Sequence, residues 1–484
     1  MQPSSPIRVF DAIRALAFVG DLSMGQPIDH SARTGWLASR LAAVTGCDAA
    51  TQGHVVCVAL LRWSGCTANA PEFSDLLGDD VGGRRTMLST ASARAAADFA
   101  SSVSPLAEIH CEVSGDIART LGMPAAVELP LRHIFETFDG NGKPDGLDAS
   151  RIPFEVFLVS IAGDLEIFSR VHGLSNALRY IAERADARYP AFLVDAVRQH
   201  AVDWLHMLEQ GAAAAEPLPP SAAFQDATAP LELIADVIDL KLPWMTGYSR
   251  KVAEAALRCA AGLGLSDGQQ QRIYRAGLIH GIGRASVPNA VWDSPHARSE
   301  ADAERLRLVP YWTERAARRI DPLRVEAEIA SFVDERLDGS GFFRGAKGTA
   351  IDAEARVLAV AAHWVALCTS RPGRPALAQA EALAALRAEG DAGRLDLQAI
   401  AALTGQPQAG VALQQPPGEA AALLSSREVE VLGRISLGES NKEAARSLGI
   451  SPSTVRAHLE NIFRKLGCTT RAAATLKALT LGLL

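Results

Sequence analysis

Thr454, Arg456 and His458, flanked by Ser453 and Asn461, recur at helical spacing with the apolar residues Val455, Leu459 and Ile462-Phe463 between them. A segment of this kind buries one face and offers the other for hydrogen bonding, here through hydroxyl, guanidinium and imidazole groups. Ser451-Pro452 supplies its start, a capping serine followed by proline at the first helical position, and Gly467 closes it. Upstream, Ser440 opens a shorter helix holding Ala444, Ala445 and Leu448, which Gly449 ends. Before that, Ser425 or Ser426 opens a helix with Val429, Leu432 and Ile435 inward and Gly438 at its end, and a fourth helix fills about 470–483. Two short helices joined by a glycine-containing turn form a helix-turn-helix, whose second helix is expected in the DNA major groove. Residues 424–484 carry nine Lys and Arg against five Glu in a chain of net charge −7, so this end is locally +4 and the rest about −11. The asymmetry concentrates phosphate-binding charge on the C-terminal module.

The 484 residues imply several domains, and 48% apolar with 21% charged residues describes a globular chain. Abundant alanine and only 6% aromatic residues favour helix. The N-terminus lacks a basic region leading into an apolar core, and no apolar run is long enough to span a bilayer, so a cytoplasmic protein without membrane attachment is expected. Seven scattered cysteines without a CxxC pair read as reduced thiols. Two segments rich in alanine, proline or glutamine, 211–230 and 404–421, read as linkers. They divide the chain into 1–210, 231–403 and 422–484.

The first two segments are tandem copies of one unit. His30-Ser31 opens HSARTGWLASRLAAVTG and Tyr248-Ser249 opens YSRKVAEAALRCAAGLG, each with a glycine (Gly46, Gly264) at the same offset. The apolar stretches ending at Leu61 and Ile279, the turns Asp139-Gly140 and Asp338-Gly339, and Ile152 and Ile351 keep step between the copies. The loop between the two shared blocks is longer in the first copy.

Through AGLIHGIGRASVPNAVWDSP, LVPYWTERAARRI, DERLDGSGFFRG and ARVLAVAAHWVALCTSRPGR, the second copy resembles the HD-GYP branch of the HD phosphohydrolases. That resemblance implies an all-helical bundle in which His and Asp side chains hold metal ions that activate water against a phosphodiester. Position by position, most ligands are gone. Tyr248 stands at the opening His, His280-Gly281 at the HD pair, Val309 at the next His, Val333 and Asp334 at the double His, and Ala362 at the late Asp. In the first copy Arg62-Trp63 replaces the HD pair, Ile134-Phe135 the double His and Gly163 the late Asp, while His30 remains and Asp164 follows one residue late. His110 and His133 stand outside the matched spacing and read as structural histidines. One imidazole does not make a first-row metal site. No metal, cofactor or catalytic residue is therefore expected, and the central cavity is either filled by Tyr248, Val309, Val333, Phe342 and Phe343 or re-tuned for another ligand.

SSREVEVL, LGESNKEAARSLGIS, STVRAHLENIFRKLG and TRAAA make 424–484 resemble the LuxR-type helix-turn-helix. The resemblance implies that Thr454, Val455, Arg456 and His458 face the major groove, with Val455 on a thymine methyl or in the core. It also implies phosphate contacts by Ser440, Asn441, Lys442, Ser453 and Lys465, and a dimer face of Ala473, Leu476, Leu479 and Leu483. The expected protein is all-α, two degenerate HD-GYP-like bundles followed by a four-helix LuxR-type module. It is a homodimeric regulator of double-stranded DNA, open to control by a small-molecule effector. The alternative is a metal-dependent cyclic-dinucleotide phosphodiesterase fused to the same module.

Overall fold

The computed structural model describes residues 5–90, 93–215, 227–405 and 423–484; the expected linkers fall largely outside them. The architecture is all-α, with two three-residue strands, Pro6–Arg8 and Thr228–Pro230, among the described residues. The chain divides into two compact units, one of Arg8–Ala229 and one holding Pro230–Leu484 with the residues up to Ile7. The first contains the first copy. The second contains the second copy and the C-terminal module.

The duplication is visible bond by bond. His30–Val44 and Tyr248–Gly262 are both 15-residue helices, and Ala49–Leu61 and Asp267–Ile279 are both 13 residues long. Gly46 and Gly264 follow the first pair in left-handed backbone, as expected of helix C-terminal glycines. In each copy the opening helix packs on the one that follows it and on a long central helix, Phe154–His172 or Ala353–Leu367. Asp21 accepts from Ser31 N and Oγ, and Asp239 accepts from Ser249 N and Oγ, so both opening helices are tied down identically.

Glu136 accepts from Asp145 N and Leu147 N at 2.7 and 2.9 Å, and Glu335 from Arg344 N and Ala346 N at 2.6 and 2.9 Å. These buried glutamates clamp the DG turns, whose aspartates Asp139 and Asp338 accept from the backbone N–H two residues on. Gly65 N donates to Ser114 Oγ at 3.0 Å and Gly283 N to Thr313 Oγ1 at 2.9 Å. A methyl group built on Gly283 would lie 2.0 Å from Val309 O, which is backbone and cannot swing aside. Gly283→Ala is accordingly expected to cost on the order of 1–3 kcal/mol through overpacking. Wild-type thermal and urea unfolding of that variant would refute the close approach.

The C-terminal module forms four helices, Ser426–Ser436, Asn441–Leu448, Pro452–Leu466 and Arg471–Thr480. Ser425, Ser440, Ser451 and Thr470 cap them, each accepting a backbone N–H, and Gly449 and Gly467 end the middle two in left-handed backbone. In the first helix Val431, Leu432 and Ile435 are buried, whereas Val429, expected inward, is half-buried. Glu428 is buried there too and binds Lys465 Nζ at 2.6 Å, joining the first helix to the third. Burial alone would raise its carboxyl, but the Lys465 ammonium and the bonds to Ser425 prevail and pull it from 4.5 to about 2. Since the folded value lies below the unfolded one, this stabilisation is complete above pH 4.5 and disappears as pH falls towards 2. Glu428→Gln is expected to remove on the order of 2 kcal/mol at pH 7 and to flatten this acid limb, measured by urea unfolding between pH 3 and 7.

Within the same unit, the C-terminal helix Arg471–Thr480 packs against Glu232–Asp239 of the second copy. Thr246 Oγ1 donates to Ser436 O at 2.7 Å. Ala473, Leu476 and Leu479, three of the four residues expected on a dimer face, are buried within the protomer, and Leu483 is half-buried.

Candidate functional site

The sequence points to three places: a recognition helix expected to read DNA, and two bundle centres expected to lack the metal ligands of the HD-GYP pattern. On Pro452–Leu466, Ser453, Thr454, Arg456 and Asn461 are exposed and His458 is half-buried, all beyond the capped N-terminus that Ser451 holds through Thr454 N at 3.1 Å. The Arg456 guanidinium rests on Glu460 at 3.0 Å, an exposed pair with little to hold it against a better acceptor. Val455 is 0% exposed, so the choice between groove and core falls to the core. Among the expected phosphate contacts, Ser440 and Lys442 are exposed at the start of the preceding helix, and Asn441 accepts from Arg471 at 2.8 Å. Lys465, exposed, pairs with Glu428 of the first helix at 2.6 Å.

In the second copy, residues at and around the positions matched to the metal-binding pattern converge on Arg284. Its guanidinium meets His280 Nε2 at 2.5 Å and Asp239 Oδ1 at 3.3 Å, and it lies over the Tyr248 ring at 4.8 Å. His280 Nδ1 faces Gly277 O at 2.6 Å, and Tyr248 donates to Ala362 O at 3.4 Å. Burial and the Arg284 charge together push the His280 imidazole down to about 3, while burial lifts Asp239 to about 7 against the pull of Arg284. Val309 and Val333 are buried as expected of a filled centre, but Phe342 and Phe343 are half-buried and Asp334 is exposed. A Cβ on Gly281 would come within 2.7 Å of Arg284 Nη1. The guanidinium therefore occupies room that an aspartate at this position would take.

The first copy repeats the arrangement from another residue. Arg62, the helix cap matching His280, is 4% exposed and reaches His30 Nε2, Thr34 Oγ1 at 3.4 Å and Val159 O at 3.4 Å. His30 Nδ1 is bonded to Glu166 at 2.5 Å, and His30, Arg170 and their bonds hold Glu166 well below the usual carboxylate range despite its burial. Burial raises Asp21 to about 8 against Ser31 and Arg62. A Cβ on Gly163, at the late Asp position, would strike the Arg62 guanidinium. In both copies, then, a position the metal-binding pattern gives to aspartate is glycine, and an arginine fills the space.

Sequence spacing missed one residue. His110 occupies the place of Val309, because Gly65 packs on His110 O as Gly283 packs on Val309 O. Its Nε2 meets Arg62 O at 2.7 Å, as a structural histidine would. Asp164, the shifted candidate, pairs with Arg188 at 3.1 Å.

Among the described residues, three metal-capable side chains converge at His133, Glu136 and Asp145. That group lies on the clamped turn, where Glu136 already accepts backbone N–H groups. At the bundle centres each imidazole faces a guanidinium, and the nearby carboxylates Asp21, Glu166 and Asp239 are engaged by serines, His30 or arginines, a set that does not offer the free convergent ligands of a divalent metal cluster.

Residues 232–398 match the family model described as HD domain, and 422–478 match the one described as bacterial regulatory proteins, luxR family. Over 402 residues the chain is 25% identical to 3'3'-cGAMP-specific phosphodiesterase 3 of Vibrio cholerae, covering 75% of this chain and 87% of that protein. It is 34% identical over 166 residues to phosphodiesterase 1 of the same specificity and organism, covering 34% of this chain and 38% of the relative. The C-terminal module is 42% identical over 67 residues to the probable transcriptional regulatory protein NarL of Mycobacterium tuberculosis, 14% of this chain and 31% of that one. A crystal structure of a V. cholerae cyclic GMP-AMP-specific phosphodiesterase shares the fold, with a TM-score of 0.59 at 23% identity over 83% of this chain and 98% of that one. The chain thus joins an HD domain to a LuxR-type module, which implies DNA binding. No helix among the described residues is long and apolar enough to cross a membrane.

Proposed function

We propose that this chain is a cytoplasmic transcriptional regulator that binds specific double-stranded DNA as a homodimer through Pro452–Leu466. Its two bundles act as non-catalytic sensor and dimerisation modules. The observation that carries the reading is the capped recognition helix with Thr454 and Arg456 exposed on a locally basic module. Selection of bound sequences from random duplexes by the full chain tests it. A two-fold-related site with half-sites about 10 base pairs apart is expected. Recovery of unenriched sequence would overturn it.

The non-catalytic part is supported by Arg284 and Arg62, each set against an imidazole where a cation cluster would need free ligands. One observation favours a second reading, phosphodiesterase activity: the likeness over 402 residues to a protein named for hydrolysing 3'3'-cGAMP. Incubation of the full chain with 3'3'-cGAMP and ferrous iron or manganese distinguishes them. No linear product is expected, and multiple turnovers abolished by His280→Ala would establish the enzyme instead.

A further inference from the structure

The first copy encloses a cavity of about 270 Å³ directly against Arg62 and Trp63. Ligand pockets run from about 300 to 1,000 Å³, so this one is at the scale of a single small molecule. Its apolar wall is formed by Met24, Trp63, Phe73, Met87, Phe135 and Phe168. Trp63, His110 and Phe135 pack as one aromatic cluster, with centroids 4.8–6.2 Å apart.

The charged lining is predominantly cationic. Arg62 and Arg84 are buried, whereas Lys143 and Arg188 are exposed and Arg184 is half-buried. The two carboxylates that reach the cavity are already committed, Glu136 to the backbone of 145–147 and Asp164 to Arg188. Two buried donors on these lining residues, Arg62 Nε and Trp63 Nε1, have no hydrogen-bond partner among the described residues, and the residues are 4% and 6% exposed. Buried N–H groups are rarely left unmatched, because water is lost to them without replacement. These are the two residues that replace the HD pair, so the change that removes the metal ligands also installs the unmatched donors.

We infer that this cavity is a binding site for a small organic anion with a planar apolar body, its carboxylate or phosphate accepting from Arg62 and Trp63 and its rings lying on the aromatic wall. The buried cation and unmatched N–H groups select an acceptor. The aromatic wall selects the apolar body, and exposed Lys143 attracts the charge from solvent. That occupancy controls DNA binding rests on the sensor reading above. The site itself does not.

The test uses the full chain and anilinonaphthalene sulfonate as the probe, with guanosine monophosphate and 4-hydroxybenzoate as competitors to separate a phosphate from a carboxylate preference. One saturable probe site per chain is expected, displaced by at least one competitor. Trp63→Phe, which keeps the ring and deletes the N–H, and Lys143→Glu, a surface change, are each expected to weaken it about five-fold or more. Absence of saturable binding, failure of both competitors, or wild-type affinity in both variants overturns the site. Because the assay contains no DNA, its failure leaves the DNA-binding reading untouched, and the converse holds.

Discussion

Replacement of Thr454, Arg456 and His458 together by alanine is expected to reduce affinity for the selected DNA site by about 100-fold or more, while leaving the thermal unfolding of the chain nearly unchanged. The three side chains lie outside the module's core, and the Arg456–Glu460 pair is exposed on both sides, so little folding energy is lost with them. A side chain reading a base edge is worth about 1–3 kcal/mol, and two such contacts reach that factor. The residual binding should retain its salt dependence, because the triple variant leaves the positive charge of exposed Lys442 on the preceding helix in place. Lys442→Ala should do the reverse, weakening specific and non-specific duplexes alike. Fluorescence anisotropy on matched and scrambled duplexes at two salt concentrations separates the two, and undiminished specific binding by the triple variant would refute the placement of this helix in the groove.

Arg284→Ala is expected to destabilise the second copy by about 3–5 kcal/mol at alkaline pH, because it leaves a buried carboxylate without its cation. The cost should depend on pH. Asp239 titrates near 7 in the folded chain against 3.8 unfolded, so it is neutral at pH 5 and the ion pair contributes little there. Above 7 it is ionised beside Arg284. Without the arginine it must be buried charged or held protonated against the solvent. The loss should therefore grow between about pH 5 and 9, and Arg284→Met, which fills the volume, should show the same trend from a smaller baseline. Urea unfolding at three pH values checks this; a penalty independent of pH would show that Arg284 acts by packing alone.

The C-terminal module was legible because its boundaries are written in local chemistry. Ser425, Ser440, Ser451-Pro452, Gly449 and Gly467 each act within one turn of where they stand. The Lys465–Glu428 pair was not legible, since the two residues lie 37 positions apart and nothing in local spacing joins them. Val455 shows the limit of helical periodicity, which places it between two faces without saying which wins. The duplication was legible as offsets. His110 escaped because the first copy's longer loop breaks the register just where the comparison with Val309 is needed, and three-dimensional packing on Gly65 restores it. The departures from the HD-GYP pattern could be read one position at a time. What fills the space there could not, because Arg284 sits one turn beyond His280 and outside the motif, and Gly281 and Gly163 register in sequence only as deletions of aspartate.

A guanidinium in the bundle centre differs from a metal ion in being part of the chain. It is made by the ribosome in fixed stoichiometry, cannot be stripped by a chelator or exchanged for a competing ion, and does not change oxidation state. Arg62 and Arg284 thus place beside His30, His280 and Asp239 a cation that is inherited with the gene and independent of the cell's supply of metal ions.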